Sequence, residues 1–272
     1  GFHTIHGRAP AIATGVKASN PELDVWVVTG DGDALSIGGN HFIHAIRRNM
    51  DMVYVLENNG VYGLTKGQYS ATADVGSKKK KGAVNETQPI DLCAMAINLG
   101  CTFVARSFSG SKKQLTSLIK AAMSHKGFAL IDVISPCVTF NNNDESMRSY
   151  GYVKENEITL HMADYIPHFN PVEEIEVPEG HFRDITLHDG STIRLETISE
   201  EHDPADAMAA LTALHEAETT KKHVTGLLYF DPTKPSLAED LGLVEQPLID
   251  VPDEVLRPSK ASLDALNAEF LA

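Results

Sequence analysis

Between residues 25 and 63 the chain twice runs an apolar stretch into a polar turn. Val25-Trp26-Val27-Val28 leads into Gly30-Asp31-Gly32-Asp33, a helical stretch follows, and a second apolar run from Met52 to Leu56 delivers Asn58-Asn59. Strand, acidic glycine turn, helix, strand and amide turn is the pattern of a parallel βαβ unit. It brings one carboxylate and one side-chain amide to the same edge of a parallel sheet, the edge where open α/β sheets bind ligands. Two hard oxygen donors beside a glycine-rich turn suit a Mg²⁺ ion that also holds a diphosphate, because Mg²⁺ wants octahedral oxygen ligands and takes some of them from substrate phosphates. Gly32 lets the backbone pass close to phosphate oxygens. Asp31 supplies an anionic oxygen, Asn59 an amide oxygen on the next strand's exit, and a backbone carbonyl just beyond, that of Val61, completes the protein's share. The bland alternative is a glycine-rich βα turn with a structural aspartate; the paired amide turn between two apolar runs speaks against it. The G-x-G-x-x-G of a dinucleotide fold is absent, which disfavours NAD.

The rest of the first half keeps alternating. Residues 6–17 read as a turn entering a helix, 25–29 as a strand, 37–48 as a helix and 52–56 as a strand. A long polar loop is expected over 58–88. A helix over 89–99 follows, with Pro89 suited to its first turn. Strand 102–105, helix 112–125 and strand 128–134 come next. Strands alternating with helices imply an α/β fold with a mainly parallel sheet and helices on both faces. From Asn141 the composition turns to that of a linker. The remainder reads as an α+β extension: a hairpin around Asp189-Gly190, a helix capped by Asp203-Pro204 and running to about 220, and a last strand over 224–230. Domain boundaries are therefore expected at 1–145 and 146–272.

Charge divides at the same place. Residues 1–150 hold 15 basic and 12 acidic side chains, net +3, and residues 151–272 hold 8 and 25, net −17. An acidic extension disfavours nucleic acid as a partner and reads most simply as a solvated face. No apolar run has the length of a membrane span and no signal peptide is visible, so the chain is read as cytoplasmic, with no membrane partner. The three cysteines, Cys93, Cys101 and Cys137, form neither a disulfide framework nor a zinc pattern. His41 and His44 lack partners at zinc spacing and read as packing or solvated residues.

GDG followed after about two dozen residues by NN resembles the diphosphate-binding motif of thiamine diphosphate enzymes. FHTIHGRA at 2–9, GDGDALSIGGNH at 30–41 and NNGVYGLTKGQYS at 58–70 resemble the β subunit of 2-oxoacid:ferredoxin oxidoreductases. TLHDGS and TGLLYFDP in the extension resemble the 2-oxoglutarate type. The resemblance implies a thiamine diphosphate-binding fold. It implies Mg²⁺ on the side chains of Asp31 and Asn59 and the carbonyl of Val61, with Gly30, Gly32, Asp33, Gly63 and Leu64 shaping the diphosphate site. His6 and Gly7 would line the cofactor pocket. Lys66 would act catalytically, reaching toward the 2-oxoacid carboxylate. Cys137 would be one ligand of a [4Fe–4S] cluster. Such a cluster needs four ligands, and Cys93 and Cys101 read as packing residues. The other three are expected upstream of Gly1, so the sequence is read as part of a longer chain.

The implied reaction is oxidative decarboxylation of a 2-oxoacid, 2-oxoglutarate by resemblance, with CoA as acyl acceptor and ferredoxin as electron acceptor. No pyrimidine-binding half is seen, which implies an α subunit that supplies it together with the CoA site. Two alternatives stand beside this: a non-redox thiamine diphosphate decarboxylase or synthase subunit, and a non-catalytic partner-binding subunit of the same fold. Lys78 to Lys81 would suit docking of an acidic electron carrier, although a solvated loop explains them as well.

Overall fold

The computed structural model describes residues 1, 3–77, 84–169, 182–197 and 202–271. Phe2 and the lysine run 78–81 lie outside the described residues. Helix α1 (Ala9–Ser19) precedes strand β1 (Trp26–Gly30). A π-helical run, Gly32–Ile37, and α2 (Gly39–Arg47) lead to β2 (Met52–Asn58). A short hairpin, β3 (Val61–Tyr62) and β4 (Gln68–Tyr69), precedes α3 (Leu92–Asn98), β5 (Phe103–Phe108), α4 (Lys112–Met123) and β6 (Phe128–Ile134). Then come α5 (Tyr150–Asn156), β7 (Glu157–Thr159), β8 (His161–Ile166), β9 (Phe182–Thr186), β10 (Thr192–Thr197), α6 (Ala207–Thr219) and β11 (His223–Phe230).

The main sheet has the order β1-β2-β6-β5-β11-β7. β1, β2, β6 and β5 are parallel neighbours, as the alternating pattern implies. β11, which comes from beyond residue 145, runs antiparallel to β5 and parallel to β7, so the sheet continues into the extension. β5 and β6 are buried along their whole length, the signature of strands covered on both faces. On one face Phe42 of α2 packs its ring 5.2 Å from Tyr54 of β2 and 6.0 Å from Phe128 of β6. Burial of each phenylalanine contributes roughly 1.5–3 kcal/mol. Leu92 and Ala96 of α3 and Ala210 and Leu214 of α6 extend the same cluster. On the other face Leu118, Ala121 and Ala122 of α4 pack with Ile193 and Leu195 of the three-stranded antiparallel sheet β8-β10-β9.

Local chemistry moves some expected boundaries. α3 starts at Leu92 and leaves Pro89 outside, because the Asp91 side chain caps it, accepting from Cys93 N at 2.9 Å and Ala94 N at 3.0 Å. α6 is likewise capped by Asp206 rather than Asp203; Asp206 accepts from Met208 N at 2.8 Å. Asp203 instead closes a turn onto Ala205 N at 2.8 Å. The hairpin at Asp189-Gly190 forms as expected, with Gly190 at φ +82°. The stretch expected as a polar loop holds the β3–β4 hairpin. The helix expected from Ile37 is preceded by the π-helical run, in which Gly38 N donates to Asp33 O at 2.9 Å.

Candidate active site

β1 and β2 pair in register, with Gly30 opposite Glu57, so their exits leave the sheet side by side. Asp31 and Asn59 therefore meet at one edge, as the spacing predicts.

Asp31 is buried. Its Oδ2 accepts from Gly60 N at 2.8 Å, from Ser70 Oγ at 2.5 Å and from Thr72 Oγ1. Its Oδ1 is buried with no hydrogen-bond partner among the described residues. A buried carboxylate oxygen left bare costs free energy unless something positive satisfies it. Asn59 is half-buried; its Oδ1 accepts from Val61 N at 3.0 Å and its carbonyl accepts from Asn141 Nδ2 at 2.7 Å. Ser70 N donates to Gly60 O and Gly67 N to Tyr62 O. Ladder bonds in an antiparallel pair skip alternate residues, so the Val61 carbonyl points away from β4. One bare carboxylate oxygen, one amide oxygen and one free carbonyl make an all-oxygen donor set that fits a hard divalent cation.

Asp33 ties the N-terminal segment to this turn. Its Oδ1 accepts from Gly7 N at 3.0 Å and lies 2.7 Å from His6 Nδ1, while its Oδ2 accepts from Thr29 Oγ1 at 2.7 Å. Gly7, at φ +71°, lies so close to the Ile37–Gly38 peptide that a Cβ there would sit 2.6 Å from Gly38 N. At Gly32 a Cβ would sit 2.5 Å from the Tyr62 ring, and Tyr62 OH donates to Gly32 O at 3.1 Å. Gly32 thus keeps a flat backbone under a ring, and the turn's amides head a helical run, an arrangement suited to anionic oxygens.

Gly63 faces the half-buried Cys137, whose Sγ is 3.6 Å from where a Gly63 Cβ would stand. Leu64 is 92% exposed. Lys66 is exposed at the hairpin tip with φ +78°, a left-handed conformation uncommon for a residue other than glycine. Cys93 and Cys101 are core residues, as expected. Cys101 Sγ lies 3.3 Å from two carbonyls, those of Phe103 and Phe128, either of which can accept its one proton, and burial pushes its thiol up to about 12. Among the described residues no group of three or more His, Cys, Asp or Glu side chains could hold a metal ion. The chain's own cysteines therefore do not make a four-thiolate site.

Behind Asp31 lies a polar network that the motifs do not reveal. Asn58 points inward, opposite to Asn59, as strand alternation requires. Its Nδ2 donates to Asp132 Oδ1 at 3.0 Å, and its Oδ1 accepts from Arg148 Nε at 3.1 Å. Arg106 Nε donates to Asp132 Oδ2 at 2.6 Å and its Nη2 to Asp91 Oδ1 at 3.0 Å. Burial alone would lower the Arg106 pKa; Asp91 and Asp132 outweigh it and push it up, so the guanidinium stays charged. Single charges at Arg106 and Asp132, inside mainly apolar strands, are the sequence signal that could have disclosed this pair.

The solved structure of a 2-oxoglutarate:ferredoxin oxidoreductase from Magnetococcus marinus, with 2-oxoglutarate, coenzyme A and succinyl-CoA bound, matches with a TM-score of 0.71. The match is 31% identical and covers 97% of this chain and 74% of that one. The chain belongs to the 2-oxoacid:ferredoxin oxidoreductase family. Among the oxidoreductase subunits it resembles the β type. It is 48% identical over 153 residues to the 2-oxoglutarate oxidoreductase subunit KorB of Mycobacterium tuberculosis, covering 56% of this chain and 41% of that protein. It is 48% identical over 180 residues to the 2-oxoacid:ferredoxin oxidoreductase subunit beta of a Sulfolobus species, covering 66% and 56%. The family described as thiamine pyrophosphate enzyme, C-terminal TPP binding domain, matches residues 1–133, which include Asp31, Asn59 and Val61. The chain spans about half the length of the curated relatives it matches. No helix among the described residues is long and apolar enough to cross a membrane.

Proposed function

We propose that this chain binds Mg²⁺ and thiamine diphosphate as the β subunit of an enzyme that oxidatively decarboxylates a 2-oxoacid, 2-oxoglutarate in the first instance. The observation that carries the reading is the bare, buried Oδ1 of Asp31 beside the Gly32 turn. Asp31 Oδ1, Asn59 Oδ1 and the Val61 carbonyl would hold the metal. The backbone of Gly30, Gly32 and Asp33, with Gly63 and Leu64, would shape the diphosphate site, and His6 and Gly7 would close it from the N-terminal side. When bound, thiamine diphosphate supplies the electron sink for the carbanion left by loss of CO₂.

The chain's own residues bind and orient. Asp33 holds His6 and Gly7 against the glycine turn. Lys66, at the exposed hairpin tip, would meet the substrate carboxylate as a point charge. Cys137, beside Gly63, would give one thiolate to a [4Fe–4S] cluster, the other three coming from outside these 272 residues. The balanced reaction is 2-oxoacid, CoA and two oxidised ferredoxins to acyl-CoA, CO₂, two reduced ferredoxins and one proton.

A second chain would complete the site. An open groove of about 640 Å³ runs beside the glycine turn, lined by Ile5, Ile12, Leu23, Trp26 and Val28 as well as Asp33. Ile5 and Val28 are more than half exposed. Apolar surface of this kind, next to polar site residues, suits a subunit interface. The partner would be an α subunit carrying the pyrimidine-binding half and the CoA site. The test is an assay of the assembled complex with 2-oxoglutarate or pyruvate, CoA and either ferredoxin or a viologen dye. Rapid CoA-dependent dye reduction with 2-oxoglutarate is expected; a strong preference for pyruvate, or turnover with no acceptor reduced, contradicts the reading.

A further inference from the structure

A metal-binding carboxylate can offer one oxygen or two. A two-oxygen bite spans too small an angle for regular octahedral geometry, so it suits Ca²⁺, whose coordination is flexible, better than Mg²⁺. What Asp31 offers is decided by its neighbours. Among the described residues three donors converge on Oδ2, the Gly60 amide and the hydroxyls of Ser70 and Thr72, and none reaches Oδ1. We infer that Ser70 and Thr72 are positioning residues that occupy one oxygen of Asp31, leaving a single oxygen for the cation and tuning the site to Mg²⁺ over Ca²⁺. The inference rests on the Mg²⁺ reading of Asp31 proposed above.

The Thr72 hydroxyl has little choice of acceptor. Thr72 Oγ1 lies within reach of Asp31 Oδ2 and 2.9 Å from Asn58 Oδ1, but it has one proton. The carboxylate is the stronger acceptor, and Asn58 Oδ1 has the Arg148 Nε–H in its place. Thr72 is itself held: Arg148 Nη2 donates to its carbonyl, while Nη1 of Arg148 is fixed by both oxygens of Asp74 at 2.8 and 2.9 Å. Thr72 is fully buried, so its hydroxyl cannot turn to water. The clamp brings residues from both sides of position 145 to bear on one carboxylate oxygen.

The test uses the assembled protein, stripped of metal and supplied with thiamine diphosphate. Mn²⁺ serves as a paramagnetic probe, displaced in turn by Mg²⁺ and by Ca²⁺. Thr72→Val, nearly the same shape without the proton, is expected to weaken Mg²⁺ binding tenfold or more, the usual scale for groups that orient a metal ligand. It should weaken Ca²⁺ binding less, so the preference for Mg²⁺ narrows. Thr72→Ser should restore both. Should Thr72→Val fail to fold, Ser70→Ala carries the test with a loss of about fivefold, the scale of one hydrogen bond. Mg²⁺ affinity and Mg²⁺/Ca²⁺ preference within twofold of the parent in the folded variants would overturn the inference. Asp31→Asn separates the two claims. If it leaves metal binding unchanged, the metal reading itself falls; if it abolishes binding while Thr72→Val and Ser70→Ala do not weaken it, only the positioning role falls.

Discussion

Arg106 Nε stands 2.6 Å from Oδ2 of Asp132, and the two residues lie opposite each other in register on neighbouring parallel strands. Asp132 is fully buried and Arg106 almost so. A buried pair of this kind adds little net stability, because both charges leave water, but it is costly to break on one side, because the remaining charge has no water. Asp132→Leu is expected to destabilise the protein by about 3 kcal/mol, with Arg106 left to the partly exposed Asp91. The double variant Arg106→Met/Asp132→Leu should lose less than the sum of the two single changes. Urea unfolding of all three checks this; strictly additive losses contradict it.

Gly7 marks the closest backbone approach in the site. A Cβ there would stand 2.6 Å from Gly38 N and would also need φ +71°. Gly7→Ala is expected to cost about 1–3 kcal/mol from the left-handed conformation, with a further loss from the collision. The N-terminal segment should then detach from Asp33, and amide exchange at residues 5–8 should quicken. Unchanged protection there would contradict the contact.

The βαβ unit was legible because its signals are local: apolar runs of strand length, glycines at the turn and polar residues at both exits. The mainly parallel sheet followed from the same alternation. Less legible was whatever depended on partners distant in sequence. Nothing near Asp91 or Asp206 distinguishes it as a cap from its neighbours until the helix is built. β11 joins β5 across more than a hundred residues. At the site, Asp31 and Asn59 could be read from spacing, and the structure brings them to one edge. Ser70, Thr72 and Arg148 could not be read, since their role is set by where the β3–β4 hairpin folds back. Asp132 and Arg106 stand as charges among apolar residues, but which residue answers which is a matter of sheet order.

His161 gives the fold a pH dependence. It is buried, neither ring nitrogen has a hydrogen-bond partner among the described residues, and burial, then His202 and Arg183, push its pKa down from 6.5 to about 4. Above about pH 6.5 the histidine is neutral in both folded and unfolded chains, and the stability is fully present. As the pH falls from there toward about 4 the unfolded chain takes up the proton first, and stability drops by about 1.4 kcal/mol per pH unit. His125, pushed down to about 3 by burial and by His188, acts in the same direction. His161→Phe should remove its share of the slope between pH 6.5 and 5 while changing stability little at pH 7.5. An unchanged slope in urea titrations across that range would contradict the assignment.

The most direct test of the account is cofactor binding to the Asp31→Ala variant. Thiamine diphosphate is titrated calorimetrically into the assembled complex, with saturating Mg²⁺ and with the metal chelated. The parent protein should bind the cofactor only when Mg²⁺ is present, and the folded Asp31→Ala variant should show no metal-dependent binding. If that variant bound thiamine diphosphate with the parent's affinity and metal dependence, the site at the ends of β1 and β2 would not be the one proposed.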